Sequence, residues 1–305
     1  MCFSACFFAS KSTAFPGDFF GVIVCTVRFN QKIIITFAFD KIKHIRVKIK
    51  DVIATLERFA PLPLQDGFDN AGLQIGQTEA EVSGVLLCLD VTEAVVDEAV
   101  ACGANLIVAH HPLLFHGLKC IAGRNTVERC VVKAIENHIT VYAAHTNLDN
   151  ARGGVNYKIA EKLGAEVKSF LLPKDSESGS GVVALLPAPV GAGEFLNGVK
   201  KAFNVDCLMH NAFNPKRSVS KVAICGGAGA FLLSNAIDAG CDAFLTGEMH
   251  YHDYFGHEDE ILIAVAGHYQ TEQFTSEIFR DLIKNEYPAL RVETTKIDTN
   301  PIKYL

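Results

Sequence analysis

The sequence has no long uninterrupted apolar run, and this absence excludes a membrane-spanning helix. Such a helix needs about 18 apolar residues in a row, whereas the stretch that begins at Phe19 ends at Arg28. CxxC pairs are also absent, and the ten cysteines are scattered singly, some inside apolar runs such as residues 86–88. This pattern is typical of reduced core thiols. We therefore expect a soluble, cytoplasmic protein with no membrane partner.

Positive charge is scarce as well. The 28 Lys and Arg residues are outnumbered by 34 Asp and Glu, which gives a formal net charge of -6. Because binding a phosphate backbone needs a basic stripe, nucleic acid is not an expected partner, although a confined phosphate site stays compatible with this balance. The 305 residues, 49% of them hydrophobic, are enough to bury cores in two domains.

Residues 1–46 differ from the rest of the chain. They contain nine of the 21 phenylalanines and six basic residues against two acidic ones, and no basic region precedes their first apolar stretch as in a secretory signal. At Lys48 an amphipathic helix pattern begins. We predict that the native start lies near Val47 and that residues 1–46 are a mis-called extension; a genuine extension with a strand between Lys32 and Asp40 is the alternative.

The remaining chain alternates strand-like apolar runs with helix-like segments, which predicts an α/β fold with largely parallel strands. We expect a first α/β domain at residues 47–173, then a Ser- and Gly-rich linker at 174–181 that opens a second α/β domain ending at residue 305. An internal repeat at an offset of 137 residues aligns residues 85–108 with 222–245. Both copies have the pattern strand, helix, glycine, strand, which indicates either duplication or chance similarity between two generic units.

Three apolar strands end in metal-ligand residue types. One precedes His110 and His111, a second precedes residues 145–149, and a third precedes residues 267–272. Because ligands bind beyond the carboxyl ends of parallel strands, these clusters can converge. His268 and Glu272 have the i, i+4 spacing of one helix face. Imidazole and carboxylate bind zinc, iron or manganese, and a carboxylate can bridge two ions.

These segments resemble the signature blocks of the NIF-three-like dinuclear-metal family, whose members are known as GTP cyclohydrolase I type 2 homologues. The likeness covers about residues 47–305. The segments that carry it are Asp69–Leu73, His110–Phe115, His145–Asp149, Thr246–Met249 and Gly267–Glu272. One departure is Phe68, where the family has Trp.

The resemblance implies a metal site between two α/β domains and a toroidal homohexamer. It also implies two divalent ions, and it transfers the ligand roles to His110, His111, Asp149, His268 and Glu272.

Other residues have two readings. His145 either orients a metal ligand without binding the ion itself or hydrogen-bonds the backbone at its strand end. His252 is a candidate for moving protons in catalysis. The sequence Gly226–Gly229 resembles a phosphate loop, but a tight turn is the better interpretation.

Two functions fit this sequence. The first is a metal-dependent hydrolase that acts on a nucleotide or a related small molecule, with water activated because two divalent ions lower its pKa. The GTP cyclohydrolase reaction is implied only by the resemblance, since no residue selects guanine. The alternative is a non-catalytic metal-binding or regulatory protein. DNA binding through the hole of a hexamer conflicts with the acidic charge.

Overall fold

The computed structural model describes the backbone of Thr26–Val27 and Ile35–Thr36, residues 46–303 and Leu305. The chain divides into residues 1–45 and Arg46–Leu305. In the first unit, β1 (Thr26–Val27) pairs antiparallel with β2 (Ile35–Thr36). The other residues between 1 and 45 lie outside the described part, so the prediction of a mis-called extension is not addressed there.

The second unit contains two sheets. The first sheet consists of β3 (Gly72–Ile75), β4 (Val85–Cys88), β5 (Leu106–Ala109), β6 (Thr140–Ala143) and β13 (Val292–Thr294), in the order β13-β4-β5-β6-β3. Four of these strands run parallel, and β3 pairs antiparallel with β6. Every residue of β4, β5 and β6 is buried, as in a parallel sheet covered on both faces.

The second sheet is mixed, which corrects the expectation of largely parallel strands. It consists of β7 (Glu166–Pro173), β8 (Gly179–Gly191), β9 (Met209–His210), β10 (Ser218–Cys225), β11 (Ala243–Thr246) and β12 (Leu262–Val265), in the order β7-β8-β10-β11-β12-β9. Only β10, β11 and β12 run parallel. The predicted linker contains the short turn between β7 and β8, and a short connection between paired strands makes them antiparallel.

Nine helices accompany the sheets within the described residues. They are α1 (Ile49–Phe59), α2 (Glu93–Cys102), α3 (Thr126–Glu136), α4 (Thr146–Asp149), α5 (Val155–Lys162), α6 (Ala192–Phe203), α7 (Leu233–Asp238), α8 (His268–Glu272) and α9 (Thr275–Glu286). Helix α2 shows why the boundaries fall where they do: Thr92 accepts a hydrogen bond from the Val95 amide, and Gly103 ends the helix with φ +69°. No helix in this part of the chain has the length and apolar character to cross a membrane.

The predicted repeat has matching structure in its two copies. Val85 pairs with Leu106 in parallel register, and Val222 pairs with Ala243 in the same way, each 137 residues later. In both copies a glycine of positive φ, Gly103 or Gly240, follows the intervening helix within two residues. The strand, helix, glycine, strand pattern is therefore confirmed, whereas its origin by duplication stays a prediction.

One hydrophobic core joins the two sheets. It contains Leu87 and Val108 from the first sheet, Ile224 and Leu245 from the second, and Phe279 from α9. Alternate strand residues face outward into two smaller cores, one under α2 and α3 and one under α7. The two sheets do not coincide with the two predicted domains. Strand β7 precedes the predicted boundary at residue 173 but joins the second sheet, and β13 follows that boundary but joins the first sheet. The domain division itself stays a prediction.

Candidate metal centre

His110 and His111 follow the buried strand β5 at the carboxyl edge of the first sheet. Their backbone amides continue the pairing with β4, donating to Cys88 and Leu89. The imidazoles are each bound at Nδ1: His110 Nδ1 lies 2.8 Å from the Ala144 carbonyl oxygen, and His111 Nδ1 lies 2.7 Å from Asp90 Oδ1. This leaves both Nε2 atoms facing the interior of the cluster, where metal ligation requires them.

His268 and Glu272 extend from α8, of which they are the first and last residues. His268 Nε2 and Glu272 Oε2 are 3.0 Å apart, in agreement with the i, i+4 spacing. The Glu272 carboxylate is 2.9 Å from His111 Nε2 through the same oxygen, and its other oxygen is 3.8 Å from His110 Nε2. Glu248, just beyond β11, holds His268 Nδ1 at 3.0 Å. Helix α8 therefore brings ligands to the histidines of the first sheet.

Asp149 is the last residue of α4. Its Oδ1 lies 3.7 Å from His110 Nε2, and the Asn156 amide donates to its backbone carbonyl. Burial, together with the neighbouring negative charge of Glu272, raises the pKa of Asp149. Burial also acts to raise the pKa of Glu272, but the nearby imidazoles of His110, His111 and His268 outweigh it and lower this pKa well below its ordinary value.

The donor set fits a divalent cation. His110 is fully buried, yet its Nε2 has no hydrogen-bond partner among the described residues. Buried polar atoms normally have partners, so an unpaired nitrogen between two carboxylates indicates that a cation belongs there. Three groups have ligand atoms within 4.8 Å of one another: His110, Asp149 and Glu272; His111, His268 and Glu272; and His110, His111 and His145. All five predicted ligands are thus brought together.

His145 is held by a carboxylate. Its Nδ1 lies 2.7 Å from Asp69 Oδ1, and its ring is 5.4 Å from the rings of both His110 and His111, centroid to centroid. Burial acts to raise the pKa of Asp69, but hydrogen bonds from His145 and Thr146 outweigh it and lower this pKa to about 2. Asp69 therefore stays ionised at neutral pH and fixes the orientation of the imidazole.

The structure does not bring His252 to the cluster. It lies on a 3-10 helix, Tyr251–Tyr254, where its side chain is exposed and contacts the rings of Tyr251 and Phe255. The cavity at the cluster is lined by His111, His145 and His268 and does not include His252. Glu248 of the same segment does contact His268, a role that the sequence pattern did not reveal.

The glycine cluster after β10 forms a tight turn that supports the site. The amides of Gly226 and Gly227 donate to Asn156 and Thr271, and the Gly229 amide donates to Thr246. Because these amides are already bound, the turn does not offer them to a phosphate, which favours the interpretation made from the sequence. A Cβ atom on Gly227 would lie 2.2 Å from Glu272 Oε1, so the turn packs directly against the carboxylate.

Comparison with known proteins shows the family. Residues 47–301 match the family model described as Duf34/NIF3, NGG1p interacting factor 3. The chain belongs to the DUF34/NIF3 family. The predicted resemblance is therefore confirmed; the matched range excludes residues 1–46, whose origin stays a prediction.

Named relatives agree with this assignment. A GTP cyclohydrolase 1 type 2 homolog of Clostridium acetobutylicum is 36% identical over 232 residues, covering 74% of this chain and 85% of the relative. A relative of the same name from Lactococcus lactis is 32% identical over 260 residues, covering 84% of this chain and 98% of the relative.

Solved structures share the fold of this DUF34/NIF3 protein. A hypothetical protein of Staphylococcus aureus superposes with a TM-score of 0.79 at 26% identity, covering 85% of this chain and 99% of that one. A Bacillus cereus protein related to NIF3 superposes with a TM-score of 0.77 at 24% identity, covering 85% and 100%. The α/β fold with two sheets is thus a shared architecture.

Proposed function

We propose that this protein binds two divalent metal ions and uses them in hydrolysis of a nucleotide or a related small molecule. The observation that carries the proposal is the buried, unpartnered His110 Nε2, 3.7 Å from Asp149 Oδ1 and 3.8 Å from Glu272 Oε1. Zinc, iron and manganese all suit this set of imidazole and carboxylate donors. Divalent ions supply Lewis acidity there, because they lower the pKa of water and polarise an electrophile.

Two ions fit better than one because two of the three ligand groups contain carboxylates, and these two groups share Glu272. His110 and Asp149 belong to one group, His111 and His268 to the other, and Glu272 to both. Its two carboxylate oxygens face different histidines. With two ions bound, Glu272 would be a ligand of both and would offset part of their repulsion.

The chain's own residues orient the substrate and move protons. The role in proton transfer predicted for His252 belongs more naturally to a histidine that lines the cavity. His145 is in that position, and its bond to Asp69 holds Nδ1, which leaves Nε2 facing the cavity side of the cluster. The name of the relatives, GTP cyclohydrolase 1 type 2 homolog, makes a purine nucleotide the first substrate class to test.

The experiment measures metal content and turnover together. We expect purified protein to hold two equivalents of zinc, iron or manganese by elemental mass spectrometry, and to hydrolyse a member of a panel of nucleotides and phosphodiesters. Glu272→Gln should lose both the bound metal and the turnover, because Glu272 belongs to both carboxylate-containing ligand groups. Glu286→Gln on the exposed face of α9 is the matched control. Absence of bound metal contradicts the proposal, whereas bound metal without turnover across the panel supports a metal-binding or regulatory protein.

We further propose that the protein is cytoplasmic and assembles as a homohexamer. Closed symmetric assemblies are the usual form of soluble oligomers. Light scattering coupled to size exclusion should give six times the mass of the single chain, and the mass of a single chain would contradict the proposal.

A further inference from the structure

The mouth of the cavity at the cluster is unusually aromatic. Four phenylalanines are exposed in the described part of the chain, and three of them line this one cavity. Phe68 is 67% exposed, Phe231 is 63% exposed and Phe115 is 40% exposed. Large apolar side chains that gather at a concave surface mark a ligand site, because their exposure to water is otherwise unfavourable.

These rings connect the surface with the histidine cluster. The rings of Phe68 and Phe115 are 6.4 Å apart, centroid to centroid, in an edge-on arrangement. Phe115 in turn lies 6.2 Å from the ring of His145. Phe231 reaches the same cavity from a different part of the chain, the 3-10 helix Ala230–Leu232 that follows the glycine turn. The aromatic surface is therefore built from both halves of the chain.

Outside the histidine and carboxylate cluster, Asn150, Asn156 and Ser180 of the cavity wall are already bound within the protein. The Asn150 amide donates to the Leu64 carbonyl while its oxygen accepts from Ser180, and the Asn156 side chain connects Asp149 with Gly226. Among the described residues that line the cavity there is no Lys or Arg. A chain of phosphates would find no Lys or Arg on this wall, whereas a planar ring would find three aromatic side chains.

We propose that Phe68, Phe115 and Phe231 form a subsite for the planar aromatic ring of a small ligand whose polar end reaches the histidine and carboxylate cluster. The cavity, with a volume of about 480 Å³, has room for one ring system with a short polar group. The placement of the polar end rests on the proposed metal function, and the ring subsite does not. Recognition thus depends on the ring rather than on phosphates.

The first experiment compares two hydroxamates that share one metal-binding group. Isothermal titration of zinc-loaded protein with benzohydroxamate and acetohydroxamate should give about tenfold tighter binding of the compound with the ring, after correction for their affinities for free zinc. Phe68→Ala combined with Phe231→Ala should abolish this preference and leave the Kd of acetohydroxamate unchanged. Equal Kd values in the original protein, or a preference that survives both substitutions, would overturn the proposal.

Phe255→Ala is the matched control, because Phe255 is 58% exposed but lines a different part of the surface. It should retain the full preference for benzohydroxamate. If Phe255→Ala removes the preference as completely as the cavity substitutions do, the ring binds elsewhere and the proposed subsite is wrong.

The second experiment separates the ring subsite from the metal. The chain contains no Trp, so indole fluorescence can be excited without a tryptophan background. With chelator-treated protein, the anisotropy of indole should rise on addition of the protein and of Phe255→Ala, and should not rise with the doubly substituted cavity variant. If the anisotropy of indole does not rise with the original protein, the proposed ring subsite is wrong, even if the protein is found to bind metal. A protein that never holds metal but binds indole contradicts only the proposed function.

Discussion

At the scale of single residues, hydrogen bonds at Nδ1 orient the imidazoles of the cluster. Nδ1 points away from the centre of the cluster, and Nε2 is left free to bind a cation. Each of the cluster's four histidines is bound at Nδ1 by an acceptor elsewhere in the fold. The acceptors are the Ala144 carbonyl for His110 and the carboxylates of Asp90, Asp69 and Glu248 for His111, His145 and His268. Such contacts fix ring orientation and raise the basicity of the ligating nitrogen. These contacts explain why the Nε2 atoms of all four histidines face the centre of the cluster.

Asp90 is the support that a single substitution tests most directly. It contacts His111 through one oxygen and Thr299 of the C-terminal segment through the other. We predict that Asp90→Asn lowers metal affinity by about 10- to 100-fold, because loss of such a support typically has that effect. Competition with a zinc indicator measures it. Asp97→Asn on the exposed side of α2 is the control, and equal affinities in both variants would refute the positioning role.

Proton release is the second prediction at this scale. Burial acts to lower the pKa of His111, but contacts with Asp90 and Glu272 outweigh it and raise the pKa to about 10; for His268, Glu272 likewise prevails over burial and raises the pKa to about 9. Both imidazoles are therefore protonated at neutral pH without metal, and a cation must displace their protons. Zinc affinity should rise with pH up to about 10. Titration heats at pH 7 should depend on the ionisation enthalpy of the buffer; heats independent of the buffer would contradict this.

Acid stability depends on Asp69. Its folded pKa of about 2 lies below the ordinary 3.8, so its ionised form contributes stability above pH 3.8 that is lost as the pH falls toward 2. We predict that Asp69→Asn destabilises the protein by roughly 1–2 kcal/mol at pH 7 and makes the free energy of unfolding less dependent on pH below 4. Urea unfolding at several pH values measures it. An unchanged slope between pH 2 and 4 would show that His145 does not hold the Asp69 charge.

At the scale of elements, the glycine turn after β10 sets the position of the Glu272 carboxylate. Gly227 has φ +61° and no room for a Cβ, since the nearest atom would be Glu272 Oε1. We predict that Gly227→Ala loses metal binding, because the carboxylate must move. Gly240→Ala is a matched control with φ +65° and nothing within 4 Å. Both substitutions strain the backbone by about 1 kcal/mol, so metal content that falls equally in both would refute a specific contact with Glu272.

The sequence predicts elements well where a local pattern suffices. The i, i+4 spacing places His268 and Glu272 together, and the polar residues after β5 mark a sheet edge because four apolar residues precede them. Asp90 lies at the equivalent end of β4, so the same rule applied to the neighbouring strand would have found it. The segment 174–181 was interpreted as a linker because Ser and Gly are typical of linkers, and in the structure it contains the turn between β7 and β8 and the start of β8. There, a Cβ on Gly179 would contact Phe170, so glycine permits close pairing of β7 with β8.

Long-range pairing is what a local pattern cannot supply. Strand β13 joins β4 across about two thirds of the chain, with Val292 opposite Val85. The three residues of β13 are only partly buried and include Glu293, so they show no strong strand signal. Their pairing depends on where α9 ends after packing. The contact between Thr299 and Asp90 also depends on long-range packing, so the sequence did not predict it. For the same reason β13 belongs to the first sheet although its residues lie in the predicted second domain.

At the scale of the whole molecule, the shared core makes the two sheets mechanically dependent on each other. Helix α9 contacts α1 and β4, and it also contacts α5, which packs against β7, β8 and β10 of the second sheet. Phe279 on this helix is fully buried in the cluster that also contains Leu87 and Ile224. A ligand set that takes two histidines from one sheet and Glu272 from the other half needs such a connection, because small relative movements would separate the donor atoms.

This connection predicts that residues 46–305 unfold as one unit, although the sequence suggests two domains. Phe279→Ala should lower the free energy of unfolding by about 3–5 kcal/mol, because it leaves a cavity in the shared core. Native-state hydrogen exchange should show the amides of β5 and β11 losing the same protection, since both depend on global unfolding. Ile135→Ala, at a site 54% exposed on α3, should change stability by less than about 0.5 kcal/mol. If β11 loses protection while β5 keeps it, the two halves unfold independently and the prediction is wrong.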